Sequence, residues 1–223
     1  VCNLYGAPLA KRYGFSRVIL ARETPFESIA AIAKEIETEV FVQGALCTCF
    51  SGQCYLSAFI GGNSGNRGAC KQPCRKRYSI DRNGFDGLSC KLSLSDLCVG
   101  EDVEKFAEAG VSSFNIEGRM RSAAYVGSAV RYYRDILDKK GDLRADFSDL
   151  KRAYNRGDYT KGYAFGQDKN LVSSAIQGHK GEKIGEIAKI HKSGKYAFVR
   201  SSYVPSDGDG FKVIRDKNEA GGG

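Results

Sequence analysis

The sequence has only two histidines, and it lacks several motifs that would assign a common activity. With two histidines against eight cysteines, any metal site would take its ligands mainly from sulfur. No His-Glu-x-x-His or Gly-x-Ser-x-Gly segment occurs, so neither a zincin motif nor a nucleophile elbow supports a peptidase or a serine hydrolase. No run of 18 apolar residues occurs either, and we therefore expect no membrane-spanning helix.

The composition is that of a globular protein with an excess of positive charge. Apolar residues make up 42% of the 223 positions and charged residues 27%. The formal charge of +8 favours a polyanionic partner such as RNA. No basic and then apolar leader marks the chain for export, so we expect a cytoplasmic location, with the cysteines as thiols or metal ligands rather than disulfides.

Apolar periodicity predicts strands that alternate with helices in the first 140 residues. Residues 24–27 resemble a capping box with Pro25 at the first helical position, and Ser95 is expected to cap a later helix. The predicted strands cover residues 17–21, 39–44, 88–94 and 111–116, and the predicted helices cover residues 25–38, 95–110 and 122–138.

The predicted fold class is α/β, an incomplete TIM-like (β/α) barrel followed by a small β-barrel-like domain. A closed barrel needs eight strands and roughly 250 residues, whereas only four strands are predicted. We expect residues 1–140 to form the C-terminal part of the barrel, with a Cys-rich metal-cluster insertion at 46–80. Residues 141–180 would connect it to a small, truncated β domain at 181–223, where short alternating segments lie between glycine turns.

The Cys-rich insertion is too long for an ordinary strand-to-helix loop and is therefore a functional candidate. Its candidate ligands form two pairs separated by a glycine-rich stretch: Cys47 with Cys54, and Cys70 with Cys74. Zinc knuckles usually have two to four residues between cysteines, whereas the first pair has six. Three interpretations stay open at this point, namely an iron–sulfur cluster, a zinc ribbon and ordinary buried thiols. Cys49 is a spare ligand candidate, and the remaining cysteines are expected to pack in the core: Cys2, Cys90 and Cys98.

Charged residues follow two of the predicted strands. Arg22 and Glu23 come after the first strand, and Glu117 and Arg119 come after the strand at 111–116. Because a barrel gathers the carboxyl ends of its strands on one face, these groups should lie near the cysteines. There they would bind an anionic small molecule and position a proton acceptor. The alternative is a set of structural ion pairs at the rim.

A run of basic residues lies within the insertion and provides a candidate RNA-binding surface, with Tyr78 beside it as a stacking ring. The alternatives are a solvated rim or compensation of the negative charge on bound thiolates. The residues are Arg67, Lys71, Arg75, Lys76 and Arg77.

Several segments resemble peptidase family U32, the collagenase-like proteins. They are Leu20–Glu23, Glu39–Cys47, Ser51–Ser57, Asn66–Arg75, Ser95–Cys98, Ser113–Met120 and Asn155–Tyr163. The resemblance implies a TIM-like barrel, a small β-barrel and a [4Fe-4S] cluster on four cysteines that correspond to Cys47, Cys54, Cys70 and Cys74. Members of this family hydroxylate pyrimidines in 23S rRNA or tRNA, and the tRNA branch draws on prephenate as co-substrate.

The chain departs from the family pattern at two positions and in extent. Gln43 stands where the family usually has a histidine, and Asn115 stands where it usually has a lysine. Relative to the family, the sequence begins partway through the barrel, so the N-terminal half of the barrel is an expected partner.

The resemblance and the residues together favour an iron–sulfur enzyme that hydroxylates a pyrimidine base in RNA, most similar to the rRNA branch. Glu117, Arg119 and Glu23 are its candidate catalytic residues. The alternatives are a collagenase-like peptidase and a metal-stabilised RNA-binding module.

Overall fold

The computed structural model describes residues 1–79, 81, 87–166, 168–173, 175–215 and 218–222, with the backbone alone described at 215 and 218–222. Helices and strands mostly alternate up to residue 153, and two β-hairpins follow residue 184. In chain order the elements are α1 (Gly6–Arg12), β1 (Arg17–Ile19), α2 (Phe26–Ala33), β2 (Glu37–Ala45), α3 (Leu56–Gly61), β3 (Asp96–Cys98), α4 (Val103–Glu108), β4 (Ser113–Ile116), α5 (Ala123–Asp138), α6 (Leu143–Ala153), β5 (Gly185–Ile190), β6 (Ala197–Ser201), β7 (Phe211–Arg215) and β8 (Asn218–Gly222).

Strand β2 is the centre of a four-stranded sheet. β1 and β4 run parallel to β2, and β3 runs antiparallel to its last residues, with Gln43 opposite Cys98. Val40 and Val42 of β2 are buried, as expected for a parallel sheet covered by helices. The α/β class with parallel strands is thus confirmed, and the described residues form no closed barrel. The incomplete TIM-like barrel stays a prediction.

Helix α2 is shorter than predicted, and the capping box is absent. The helix begins at Phe26 because Pro25, with an extended backbone, is its N-cap, and no side chain caps it. The hydroxyl of Thr24 is instead buried and has no hydrogen-bond partner among the described residues. β2 begins at Glu37, inside the predicted helix, because residues 37–39 pair with β1.

The strand predicted at 88–94 is wrong, and the helix predicted at 95–110 is present only in its second half. Residues 96–98 form β3, and α4 begins only at Val103, after a 3₁₀ turn. The extended backbone of β3 is paired on both sides, since it also exchanges hydrogen bonds with Arg156 and Thr160. The hydroxyl of Ser95 donates to the carbonyl of Asn170 instead of capping a helix. Tertiary pairing has outweighed the local helical pattern.

Helix α5 confirms the predicted apolar stripe. The hydroxyl of Ser122 accepts a hydrogen bond from Tyr125 N, so the helix has an N-cap of the preferred type. Its buried face consists of Tyr125, Ala129, Tyr132, Tyr133 and Ile136. Helix α6, capped by Asp142, lies in the segment predicted only as a connection and packs against α5.

The later part of the chain forms two antiparallel hairpins, β5–β6 and β7–β8, where short β segments were predicted. The described residues do not close these hairpins into a barrel. The domain boundaries at 140 and 180 stay predictions. Among the described helices, none is long and apolar enough to cross a bilayer.

Candidate metal centre

The Cys-rich insertion leaves the sheet at the carboxyl end of β2 and returns at β3. Helix α3 and two 3₁₀ turns, Gly65–Arg67 and Pro73–Arg75, are its regular elements. All of its cysteines are free thiols. The insertion therefore brings a reduced thiol set to the edge of the sheet where the other candidate residues lie.

Polar side chains inside the insertion connect its two cysteine pairs. The side-chain oxygen of Asn66 accepts a 2.9 Å hydrogen bond from Cys54 N. The buried hydroxyl of Ser57 accepts from Lys71 N at 3.1 Å and lies 3.8 Å from Cys70 Sγ. A Cβ added at Gly65 would lie 3.8 Å from the Cβ of Cys70, so a small residue suits this position. These contacts hold residues 54–57 against residues 65–71.

Three of the predicted ligands, Cys47, Cys54 and Cys70, lie within electrostatic range of the fourth, Cys74. Burial raises the pKa of Cys74, the Arg75 guanidinium lowers it, and negative charge on the other three thiols raises it further. Gln72 N donates to Cys70 Sγ at 3.3 Å from a left-handed backbone, φ 51°. Such a conformation costs about 1 kcal/mol in a residue other than glycine. It directs an N–H group at a candidate ligand sulfur.

Thiolate sulfur is the donor type that both structural zinc and iron–sulfur clusters use. No three Cys, His, Asp or Glu side chains among the described residues are close enough to hold one metal ion. Tetrahedral zinc, with bonds of about 2.3 Å, needs sulfurs only about 3.8 Å apart. A four-iron cluster is larger, so its four thiolates are more widely separated, and N–H groups aimed at sulfur are typical of its surroundings.

The other cysteines differ in environment. Burial raises the pKa of Cys98 to about 11, and its sulfur contacts the Tyr133 hydroxyl at 3.5 Å. Cys90 is also buried, which agrees with a packing role for both. Cys2 is exposed, so the expectation that it packs in the core is wrong. Burial raises the pKa of Cys49, and charge on Cys54 and Cys47 adds to this effect.

Glu23 binds the insertion directly. Its carboxylate accepts from Ser51 N at 2.8 Å and from the Ser51 hydroxyl at 2.9 Å. Ser51 lies between Cys47 and Cys54, so Glu23 fixes the loop that joins the first cysteine pair to the end of β1. Both carboxylate oxygens of Glu23, a predicted catalytic residue, therefore accept hydrogen bonds that position the loop around Ser51.

Glu117 forms an ion pair with Arg22, at 2.6 Å, and its side chain is 38% exposed. The Arg22 guanidinium lies over the ring of Phe41, 3.9 Å from its centroid. Arg119 is exposed, and no ion pair is found for it among the residues described. The structure therefore brings together the ends of β1 and β4 through Arg22 and Glu117, and it leaves Arg119 at the surface.

A buried ion cluster around Asp96 was not predicted. Asp96 is only 1% exposed and lies 3.2 Å from Arg156 and 3.5 Å from Arg121. Burial raises its pKa, whereas these arginines and Arg75 lower it and Glu117 raises it. Asp96 therefore lies within electrostatic range of both Glu117 and Arg75, and Arg75 follows Cys74 in the sequence. The sequence offered one signal for this cluster: Asp96 and Arg156 each lie in a segment that resembles peptidase family U32.

Both positions that depart from the family pattern make internal contacts. Gln43 is fully buried, donates to the Tyr125 hydroxyl and accepts from the Tyr133 hydroxyl, each at 3.1 Å. Asn115 donates to Glu39 at 2.8 Å. These contacts satisfy the amide of Gln43 in the core and give the two side chains structural roles.

The predicted RNA-binding residues divide into an exposed group and one buried member. Arg75 is 8% exposed, and its guanidinium donates to the carbonyls of Leu46 and Leu94 and to the Ser93 hydroxyl. It therefore joins the two ends of the insertion and does not face solvent. The Tyr78 hydroxyl donates to the carbonyl of Pro73. The exposed residues are Arg67, Lys71, Lys76 and Arg77.

The two histidines do not form a catalytic triad among the described residues. His179 stacks on Tyr154 and hydrogen-bonds to Asn155 through Nδ1. His191 lies 2.8 Å from the Ser193 hydroxyl in an exposed turn. No carboxylate in the described part of the chain hydrogen-bonds to either ring. A serine peptidase would need such a group to orient the base.

The chain matches known proteins over most of its length. Residues 1–174 match the family model for peptidase family U32. An uncharacterized protease of Methanocaldococcus jannaschii is 32% identical over 96% of the chain and 59% of its own length. The 23S rRNA 5-hydroxycytidine synthase of Escherichia coli is 32% identical over 93% of the chain and 34% of its own length.

A tRNA hydroxylation protein of Bacillus subtilis is 35% identical over 57% of the chain and 33% of its own length. The chain therefore spans between one third and three fifths of these relatives. No solved structure matches it significantly. Since the family model covers residues 1–174 and relatives with at least 32% identity extend over nearly the whole sequence, this chain belongs to peptidase family U32.

Proposed function

We propose that this chain is part of an iron–sulfur enzyme that hydroxylates a pyrimidine base in RNA. The observation that carries the proposal is that Cys74 lies within electrostatic range of three other free thiols, those of Cys47, Cys54 and Cys70. Relatives named for rRNA and tRNA hydroxylation support the RNA substrate. The exposed cations of the insertion supply a phosphate-binding surface beside the thiols.

The four cysteines would hold a [4Fe-4S] cluster, which supplies electron transfer when bound. Glu117, kept in place by Arg22, is the proton acceptor beside the centre. Arg119, free at the surface, binds an anionic group of the substrate or of a carboxylate co-substrate such as prephenate. Glu23 positions the loop of the first cysteine pair through Ser51.

The alternatives have less support. A collagenase-like peptidase would need an activated nucleophile, and the exposed pair of His191 and Ser193 has no orienting carboxylate among the described residues. A metal-stabilised RNA-binding module would explain the thiols and the cations. It would leave Arg119 without a role and Glu117 with only its ion pair to Arg22.

The proposal predicts that a strain without the gene lacks one hydroxylated pyrimidine in its rRNA or tRNA. Nucleosides from the two RNA fractions would be compared by mass spectrometry. The full-length gene should restore the modified nucleoside, whereas a full-length gene carrying Cys54→Ser should not. A nucleoside profile that is identical in the presence and absence of the gene would refute the proposed activity.

A further inference from the structure

The Cys-rich insertion has an unusual distribution of charge. The sequence contains no Asp or Glu between Glu39 and Asp81. Within the described part of the chain, the four exposed cations of this segment form no ion pairs. They are Arg67, Lys71, Lys76 and Arg77. Since no acidic side chain in the segment compensates them, they leave local positive charge available to a polyanion.

The same segment exposes three aromatic rings. Phe50, Tyr55 and Phe59 are 69%, 63% and 88% exposed. Phe59 N donates to the carbonyl of Tyr55, so the two residues are one helical turn apart on the same side of α3. Among the described residues, no other aromatic ring contacts any of the three, and most of the surface of each side chain is open to solvent. Aromatic side chains are usually much more buried than this.

We propose that Phe50, Tyr55 and Phe59 form a stacking platform for unpaired bases of single-stranded RNA, whose phosphates bind the four exposed cations. This inference rests on the proposed function. Aromatic rings can stack on any base, but the bases of a duplex are already stacked on each other, so the platform selects single strands. Tyr55 directly follows Cys54, and a stacked base therefore lies beside the thiol set.

The occupant follows from the combination of free rings and uncompensated cations. An apolar protein partner would bury the rings but would leave the cations unpaired. A duplex would pair with the cations but could not use the ring faces. A single strand provides both a phosphate backbone and exposed bases, which is how general single-strand binders combine their contacts.

The test is the affinity of the chain for a short labelled single-stranded RNA of mixed sequence and for the duplex of the same length. Changing Tyr55→Ala together with Phe59→Ala should weaken single-strand binding by at least about tenfold. Tyr55→Leu with Phe59→Leu, which keeps apolar bulk but removes the π faces, should also weaken it. The matched control is Tyr13→Ala, an aromatic residue 75% exposed outside the insertion, which should leave the affinity unchanged.

The dependence of RNA affinity on salt concentration tests whether the exposed cations bind phosphates. Lys71→Ala and Arg77→Ala should each lower the slope of log affinity against log salt by about 0.7, as expected for one lost phosphate contact on a single strand. Equal binding of single strand and duplex by the unchanged chain would overturn the preference for unpaired bases.

Three further results would overturn the platform. The first is single-strand affinity that survives both ring variants, which would leave the proposed hydroxylase intact. The second is a ring variant that turns an associated species into single chains in sedimentation without a change in RNA affinity, because a second copy would then cover the rings. The third is the absence of RNA binding at low salt, after which the nucleoside comparison would decide the proposed function independently.

Discussion

Replacing Cys54 with Ser should abolish binding of the proposed cluster, whereas replacing Cys49 with Ser should leave it in place. Cys54 is one of three thiols that lie within electrostatic range of Cys74, and its backbone N–H is fixed by Asn66. A serine hydroxyl is a much poorer ligand for iron than a thiolate. We expect iron content to fall from about four per chain to near zero in Cys54→Ser.

Cys49 provides the matched control because it lies in the same loop and is also a free thiol. Its Sγ donates to the carbonyl of Gln53 at 3.4 Å, a contact that serine can replace. Iron and visible absorbance should therefore be retained in Cys49→Ser. Loss of iron in this variant and retention in Cys54→Ser would show that the ligand set has been assigned to the wrong thiols.

Replacing Arg75 with Met should destabilise the chain by about 3 kcal/mol or more, because each hydrogen bond from a charged donor contributes about 1.5–3 kcal/mol. The guanidinium donates to the carbonyls of Leu46 and Leu94, the residues at the two ends of the insertion, and it is almost fully buried. Methionine fills similar space but donates no hydrogen bond, so both carbonyls would lose this partner.

Urea unfolding of the purified chain measures this loss. Lys76→Met is the control, since Lys76 is exposed and adjacent in sequence, and we expect a change within about 0.5 kcal/mol. Arg75→Met should also lower iron occupancy, because Cys74 precedes Arg75. Equal unfolding free energies for the two variants would mean that Arg75 does not join the ends of the insertion.

The local sequence pattern was sufficient to predict those helices and strands whose apolar spacing and end residues agree with their burial. The stripe of α5 with Ser122 at its start, and the apolar run of β2, correspond to observed elements because periodicity and capping agree with burial. The spacing of the cysteines also predicts a thiol set, since the glycine-rich stretch allows the chain to turn back on itself, and this assignment stays a prediction.

Contacts between residues far apart in the sequence could not be predicted from the local sequence pattern. Residues 96–98 carry a helical pattern, yet their backbone is paired with β2 on one side and with Arg156 and Thr160 on the other. The same pairing buries Asp96 against Arg156, a contact between residues sixty positions apart. Sequence alone also grouped Arg75 with its exposed neighbours, since burial depends on where the two ends of the insertion meet.

Elemental analysis of the chain purified without oxygen decides whether the thiol set holds a cluster. If Cys47, Cys54, Cys70 and Cys74 hold one [4Fe-4S] cluster, the protein should contain about four irons and about four acid-labile sulfides per chain. Both should disappear in Cys54→Ser. One equivalent of zinc with no sulfide, or a colourless protein with neither metal, would contradict the assignment.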